Sequence, residues 1–184
     1  AKRLPTILPE MTNEEIFETI IHTVEELRGK IKQNKIMGVP TSSAELKIYA
    51  PLVVGRKGEY YQLLYDLLGK GYETVKIDGV DKKLRERIEL SKNKKHSIDV
   101  LIDRFYWSEF QKGAEGVRER LSEAIERALH ESNGLIKIET PHLARRHLAV
   151  EPPSDLNTSF ERLISAKFMC PYDGFSFPEV EPRL

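Results

Sequence analysis

Cysteine is almost missing from this chain. The single thiol, Cys170, cannot form an intrachain disulfide, and such sparing use of cysteine points to a reducing compartment. Long apolar runs are missing too. No stretch approaches the ~20 residues that span a bilayer, and no apolar segment follows the basic start as it would in a signal peptide. There is no excess of either charge, because 29 Lys and Arg stand against 29 Asp and Glu for a formal net charge of +0. That balance argues against wholesale coating of nucleic acid or an anionic membrane and leaves room for a local patch. What the chain does have is 184 residues, 40% of them apolar and 32% charged, enough to fill a core. One domain, or one domain with an appendage, is the expectation, burying roughly 70% of the unfolded surface. These features predict a soluble, intracellular, globular chain.

Residues 1–10, with Pro5 and Pro9, read as a lead-in. Thr12 and Glu15 have capping-box spacing, and Ile16, Ile20, Val24, Leu27 and Ile31 then form one helical stripe. Leu46, Ile48 and Ala50 alternate with polar neighbours as in a half-buried strand, which Leu52, Val53 and Val54 extend to an expected turn at Gly55-Arg56-Lys57-Gly58. A second helix carries Tyr60, Tyr61, Leu64, Leu67 and Leu68 and closes at Gly69 and Gly71. Val75 and Ile77 mark a short strand, and Asp78-Gly79 is a two-residue hairpin signal. Ile98, Val100 and Ile102 alternate into Arg104-Phe105-Tyr106-Trp107 as another strand. Val117, Leu121, Ile125, Ala128 and Leu129 give the clearest helix, with Glu119, Arg120, Glu123, Glu126 and Arg127 among its charged positions. Asn133-Gly134 ends it before a last strand, Leu135 to Ile138. The expected fold is α+β, a single mainly antiparallel sheet covered by two or three helices over residues 11–140. Residues 141–184 are expected to form a connector and an irregular tail.

Catalytic signatures do not emerge. Gly55-Arg56-Lys57-Gly58 precedes a helix but lacks the Gly-Lys-Ser/Thr ending of a phosphate loop. The 5 histidines are scattered, and only His142 and His147 lie loosely near one another. Cys170-Pro171-Tyr172-Asp173-Gly174 has the outline of a zinc knuckle in which Asp173 stands where a second cysteine belongs, so no metal site is expected in this chain. The charge anomaly is the segment from Asp81 to Lys95, where Lys82, Lys83, Arg85, Arg87, Lys92, Lys94 and Lys95 outnumber the acids and Leu84, Ile88 and Leu90 tie it to the body. It reads as a solvated loop, or as a contact for phosphates or a charged partner. The residues by themselves describe a binding domain without catalytic machinery.

Several longer strings resemble one family. Ala50-Pro51-Leu52-Val53-Val54-Gly55-Arg56-Lys57-Gly58-Glu59, Gly71-Tyr72 followed by Val75-Lys76-Ile77-Asp78-Gly79, and Ile88-Glu89-Leu90-Ser91-Lys92-Asn93-Lys94-Lys95-His96-Ser97-Ile98-Asp99-Val100 are similar to the UvrA subunit of the bacterial excinuclease. So are Arg120 to Leu129 and the closing Phe175 to Leu184, in the same order and spacing. The resemblance implies a piece of a larger ATP-binding-cassette protein of nucleotide excision repair in the bacterial cytoplasm. The matching piece is the insert that recruits UvrB, plus the truncated start of a zinc-bearing segment over residues 141–184.

The resemblance further implies that ATP, magnesium and zinc belong to the parent and that no cofactor is held here. Damaged DNA would be met through the parent, with no membrane involved. Cys170 matches a family zinc ligand whose pair is replaced by Asp173. A family arginine of the partner surface falls on Arg104; a second aligns with Thr74, and Lys76 keeps a basic residue in that strand. Following Ile98, Val100 and Ile102, the Arg104 guanidinium is expected at the sheet rim, as a fork for a partner carboxylate or in an internal bridge to Asp103 or Asp78. The alternative function is direct contact with DNA phosphates through residues 82–95.

Overall fold

A computed structural model describes residues 10–32, 45–110, 115–140 and 161–166. In chain order these form β1 (Glu10–Met11), α1 (Asn13–Lys32), β2 (Glu45–Lys57), α2 (Tyr61–Gly69), β3 (Thr74–Ile77) and β4 (Val80–Lys83). Then come β5 (Lys95–Tyr106), a 3-10 turn (Trp107–Phe110), α3 (Glu115–Ser132), β6 (Leu135–Glu139) and β7 (Glu161–Ala166). The strands make one mixed sheet in the order β1-β7-β6-β2-β5-β3-β4. Only β1 and β7 run parallel; every other pair is antiparallel. The α+β expectation holds.

Local chemistry accounts for the element ends. The Thr12 Oγ1 accepts the Glu15 N–H at 3.2 Å while a Glu15 carboxylate oxygen accepts the Thr12 N–H at 3.3 Å, a reciprocal capping box at the start of α1. Helix α2 ends where Gly71 takes φ +93°, so that its N–H reaches the Leu68 carbonyl and the Tyr72 N–H reaches that of Leu67. Asn133 does the same for α3, with the Gly134 N–H on the Leu129 carbonyl at 2.8 Å. Asp78 and Gly79 both have positive φ, and this turn joins β3 to β4.

The core lies where Ile16, Ile20 and Val24 of α1 and Leu121, Ile125 and Ala128 of α3 meet Ile48, Ala50, Val75, Ile98, Val100, Ile136 and Ile138 of the sheet. Leu84, Ile88 and Leu90 are buried in the same cluster, so the basic segment is anchored as its apolar residues predict. Leu27 and Ile31 lie in α1, but their side chains are outside the described ones.

Three expectations change. The turn expected at Gly55 to Gly58 is instead the end of β2, which stays paired to β5 through Arg56 opposite His96 and Lys57 opposite Lys95. Gly55 allows this by adopting φ +59° at a bulge and donating its N–H to the Ser97 Oγ at 3.1 Å. Second, Glu10 of the lead-in and Glu161–Ala166 of the tail both join the sheet, β7 pairing with β6 through Ile164 opposite Ile136. Third, β5 does not alternate evenly. Tyr49 faces Leu101 but Ile48 faces Asp103, so the register slips at Ile102. Arg104 therefore leaves the side of Ile98 and Val100 and stands opposite Lys47, on the side that carries Tyr49, Lys76 and Asp99.

Candidate partner-binding surface

The slip in β5 has a chemical consequence. It turns Asp103 toward α3, where Arg120 grips it with Nε on Oδ2 at 3.0 Å and Nη2 on Oδ1 at 2.7 Å. The same guanidinium donates to Glu109 at 3.2 Å and to the Arg104 carbonyl at 2.7 Å, and it lies 4.4 Å from the centre of the Phe105 ring. Donation to the Asp103 carboxylate outweighs desolvation and holds the Arg120 pKa above its ordinary value. Arg120 thus clamps the backbone on which Arg104 sits. Asp103 also accepts the Arg104 N–H at 2.8 Å.

With Asp103 held by Arg120, the alternative of an internal Arg104–Asp103 bridge is not realised. Asp78 is engaged as well, by His96. Among the described residues the exposed Arg104 guanidinium has no carboxylate partner. It borders a cleft of about 330 Å³ at the Thr74 start of β3, past which β5 continues. Lys70, Tyr72, Glu73, Thr74 and Arg127 line it as well. Lys70 pairs with Glu131 at 3.1 Å. The structure therefore brings Arg104 and Thr74, far apart in sequence, to one cleft.

Lys76 is placed differently. It is 6% exposed, ion-paired to Glu139 across the sheet, with its ammonium 4.9 Å from the centre of the Tyr49 ring. Lys137 pairs with Asp99 at 2.8 Å, and Asp81 joins Lys47 at 3.4 Å to the Tyr49 hydroxyl at 3.1 Å. Lys76 thus belongs to a charged layer on the sheet, not to an open surface. Thr74 is also buried, its Oγ1 accepting from the Lys83 ammonium at 3.2 Å.

The remaining basic residues divide. Lys82 is half-buried, Arg85 is exposed, and Arg87 pairs with Glu89 at 2.7 Å. Lys92, Lys94 and Lys95 are exposed at the far end of β5. Cys170 and Asp173, like His142 and His147, lie outside the described residues. Among the described residues no cluster of three or more His, Cys, Asp or Glu could hold a metal ion, and no helix is long and apolar enough to cross a membrane. Sequence reasoning passed over Arg120 as one charged helix position among several. Its spacing from Asp103 carries no local signal, because the pair forms only when α3 packs back on β5.

The sheet thus presents Arg104 at the edge of a cleft, with its backbone carbonyl held by Arg120 from the covering helix. Residues 30–142 match the family described as the UvrA interaction domain. The chain is 38% identical over 140 residues to UvrABC system protein A of Halalkalibacterium halodurans, covering 76% of this chain and 12% of that protein. It is 36% identical over 165 residues to UvrABC system protein A of Bacillus subtilis, covering 89% and 15%, and 39% identical over 139 residues to that of Thermus thermophilus, covering 74% and 12%. The chain belongs to the UvrA family. It spans only about an eighth to a seventh of the length of these relatives.

Proposed function

We propose that this chain is the part of a UvrA protein that recruits UvrB, holding it so that the parent can load it on damaged DNA. Hydrolysis of ATP with magnesium, and any zinc site, are assigned to the parent's other segments. The observation that carries the reading is the exposed Arg104 guanidinium beside the Thr74 cleft, without a carboxylate partner among the described residues and with its backbone fixed by Arg120. A planar fork of donors on a rigid strand suits bidentate capture of a carboxylate on the partner. The match to an interaction domain supports the same reading.

Titration calorimetry of the chain against UvrB of a relative tests it. One-to-one binding is expected, with Arg104→Glu weakening it by about 2 kcal/mol or more through repulsion of the partner's charge. An unchanged dissociation constant for a folded variant removes Arg104 from the interface.

A further inference from the structure

The opposite end of the same sheet carries an arrangement that folding alone does not explain. Lys57, the last residue of β2, stands directly across from Lys95, the first of β5, and both are exposed. Like charges directly opposite on antiparallel strands destabilise the pairing. The preceding pair is Arg56 opposite His96, and Lys94 and Lys92 follow on the adjoining turn, again exposed. Among the described residues, none of Arg56, Lys57, Lys92, Lys94 or Lys95 is in an ion pair. Of the nearby acids, Asp78 accepts from His96 and from the Ser97 N–H at 2.8 Å and Glu89 pairs with Arg87, while exposed Glu59, two residues past Lys57, is in no ion pair among the described residues and offsets one of the cations.

The scaffold beneath these cations is fixed. The Gly55 bulge re-aims the end of β2, and the Tyr60 hydroxyl donates to the Lys57 carbonyl at 3.0 Å. The buried His96 ring has both nitrogens against oxygens, Nδ1 on Asp78 Oδ2 at 2.8 Å and Nε2 on the Ser91 carbonyl at 2.7 Å. That carbonyl also accepts the Lys94 N–H at 3.2 Å, which ties the lysine-bearing turn to the sheet.

We infer that this end of the sheet, built from Arg56, Lys57, Lys94 and Lys95 on the bulged β2–β5 ladder, is a binding site for the phosphate backbone of a nucleic acid. Lysines predominate, and lysine is a strongly hydrated point charge suited to phosphate rather than to bidentate carboxylate recognition. Helix α2 begins just beyond and carries Tyr61, half exposed, and Tyr65, 73% exposed, flat apolar surfaces of the kind on which unpaired bases stack. An anionic strand relieves the Lys57–Lys95 repulsion, so the ladder is costly empty and favourable occupied. The site stands apart from the Arg104 cleft, because the stretch of β5 from Lys95 to Arg104 spans about 30 Å at strand rise.

The test is fluorescence anisotropy of the 184-residue chain with labelled single-stranded and duplex DNA of one length, from low to physiological salt. Binding should weaken steeply with salt, and a preference for the single strand would assign a role to the tyrosines, while equal affinity would limit the site to phosphates. Lys57→Glu should weaken binding at least tenfold and raise the melting temperature, because it puts opposite charges across the ladder. That pairing of effects separates a site from a variant that fails to fold. Absence of binding at low salt, or binding unchanged in both Lys57→Glu and Lys95→Glu, overturns the inference. So does a poly-glutamate peptide that competes as well as DNA, since the patch would then serve an acidic polypeptide.

Discussion

Arg120 reaches from α3 to Asp103 on β5 and holds both carboxylate oxygens, at 3.0 and 2.7 Å. Because the same group also binds Glu109 and the Arg104 carbonyl, its removal leaves three acceptors short at once. Charge-assisted hydrogen bonds contribute more than neutral ones, but this side chain is 42% exposed, so solvent screens the loss. Arg120→Ala is expected to destabilise the fold by about 1–2 kcal/mol, read as a lower urea midpoint at unchanged slope. Combined with Asp103→Asn, the losses should fall short of additive, as for partners in one network.

What the sequence disclosed was what depends on neighbours in the chain. Thr12 with Glu15, Asp78-Gly79 and Asn133-Gly134 all announce their structures, because a cap or a left-handed residue is a local demand. The slip in β5 is not local. It arises from how Ile48 and Tyr49 of a separate strand pair with Asp103 and Leu101, and so even alternation assigned Arg104 to the wrong side of the sheet. The burial of Lys76 depends likewise on Tyr49 and Glu139 from two other strands. The basic run read as one segment, yet the fold separates Lys83, beside Thr74, from Lys94 and Lys95 and gives the latter Arg56 and Lys57 as neighbours.

The pair His96 and Asp78 makes stability depend on pH. Hydrogen bonds to Asp78 and to the Ser91 carbonyl raise the His96 pKa above its ordinary 6.5, against desolvation and the Lys94 charge. For Asp78, desolvation pushes upward, but the bonds from His96 and the Ser97 N–H, with the His96 and Lys82 charges, bring it below 3.8. The raised histidine contributes stability that is complete below about 6.5 and lost as pH rises through its folded value. The depressed aspartate contributes above about 3.9 and is lost as pH falls through its folded value. Melting temperature should therefore be highest between about pH 4 and 6.5. His96→Gln, which cannot titrate, should flatten the alkaline limb; an unaltered limb would show that another group sets it.

Lys76 offers a test of fold against surface. If its ammonium serves the Glu139 pair inside the sheet, Lys76→Met leaves a carboxylate that is only 13% exposed uncompensated and should cost about 3 kcal/mol. Replacing both partners, Lys76→Met with Glu139→Leu, removes the orphan charge and should recover much of that loss. Denaturant midpoints of the three variants decide it. A Lys76→Met protein as stable as the parent would place the lysine's role outside the fold.

Arg104 and Lys57 should be separable by function, because they stand toward opposite ends of the β2–β5 ladder and share no partner among the described residues. Arg104 pairs across from Lys47 near the start of β2, and Lys57 pairs with Lys95 at its end. Charges that far apart exceed the screening length of about 8 Å at physiological salt, so reversing one leaves the potential at the other nearly unchanged. Arg104→Glu is therefore expected to weaken binding to UvrB and leave the salt-dependent affinity for DNA within about twofold, while Lys57→Glu does the reverse. Parallel calorimetry and anisotropy on both variants, each checked for a cooperative melt, measure the two effects on one preparation. Loss of both activities in either variant would mean that a single surface binds both ligands, and the separation of the cleft from the lysine ladder would fail.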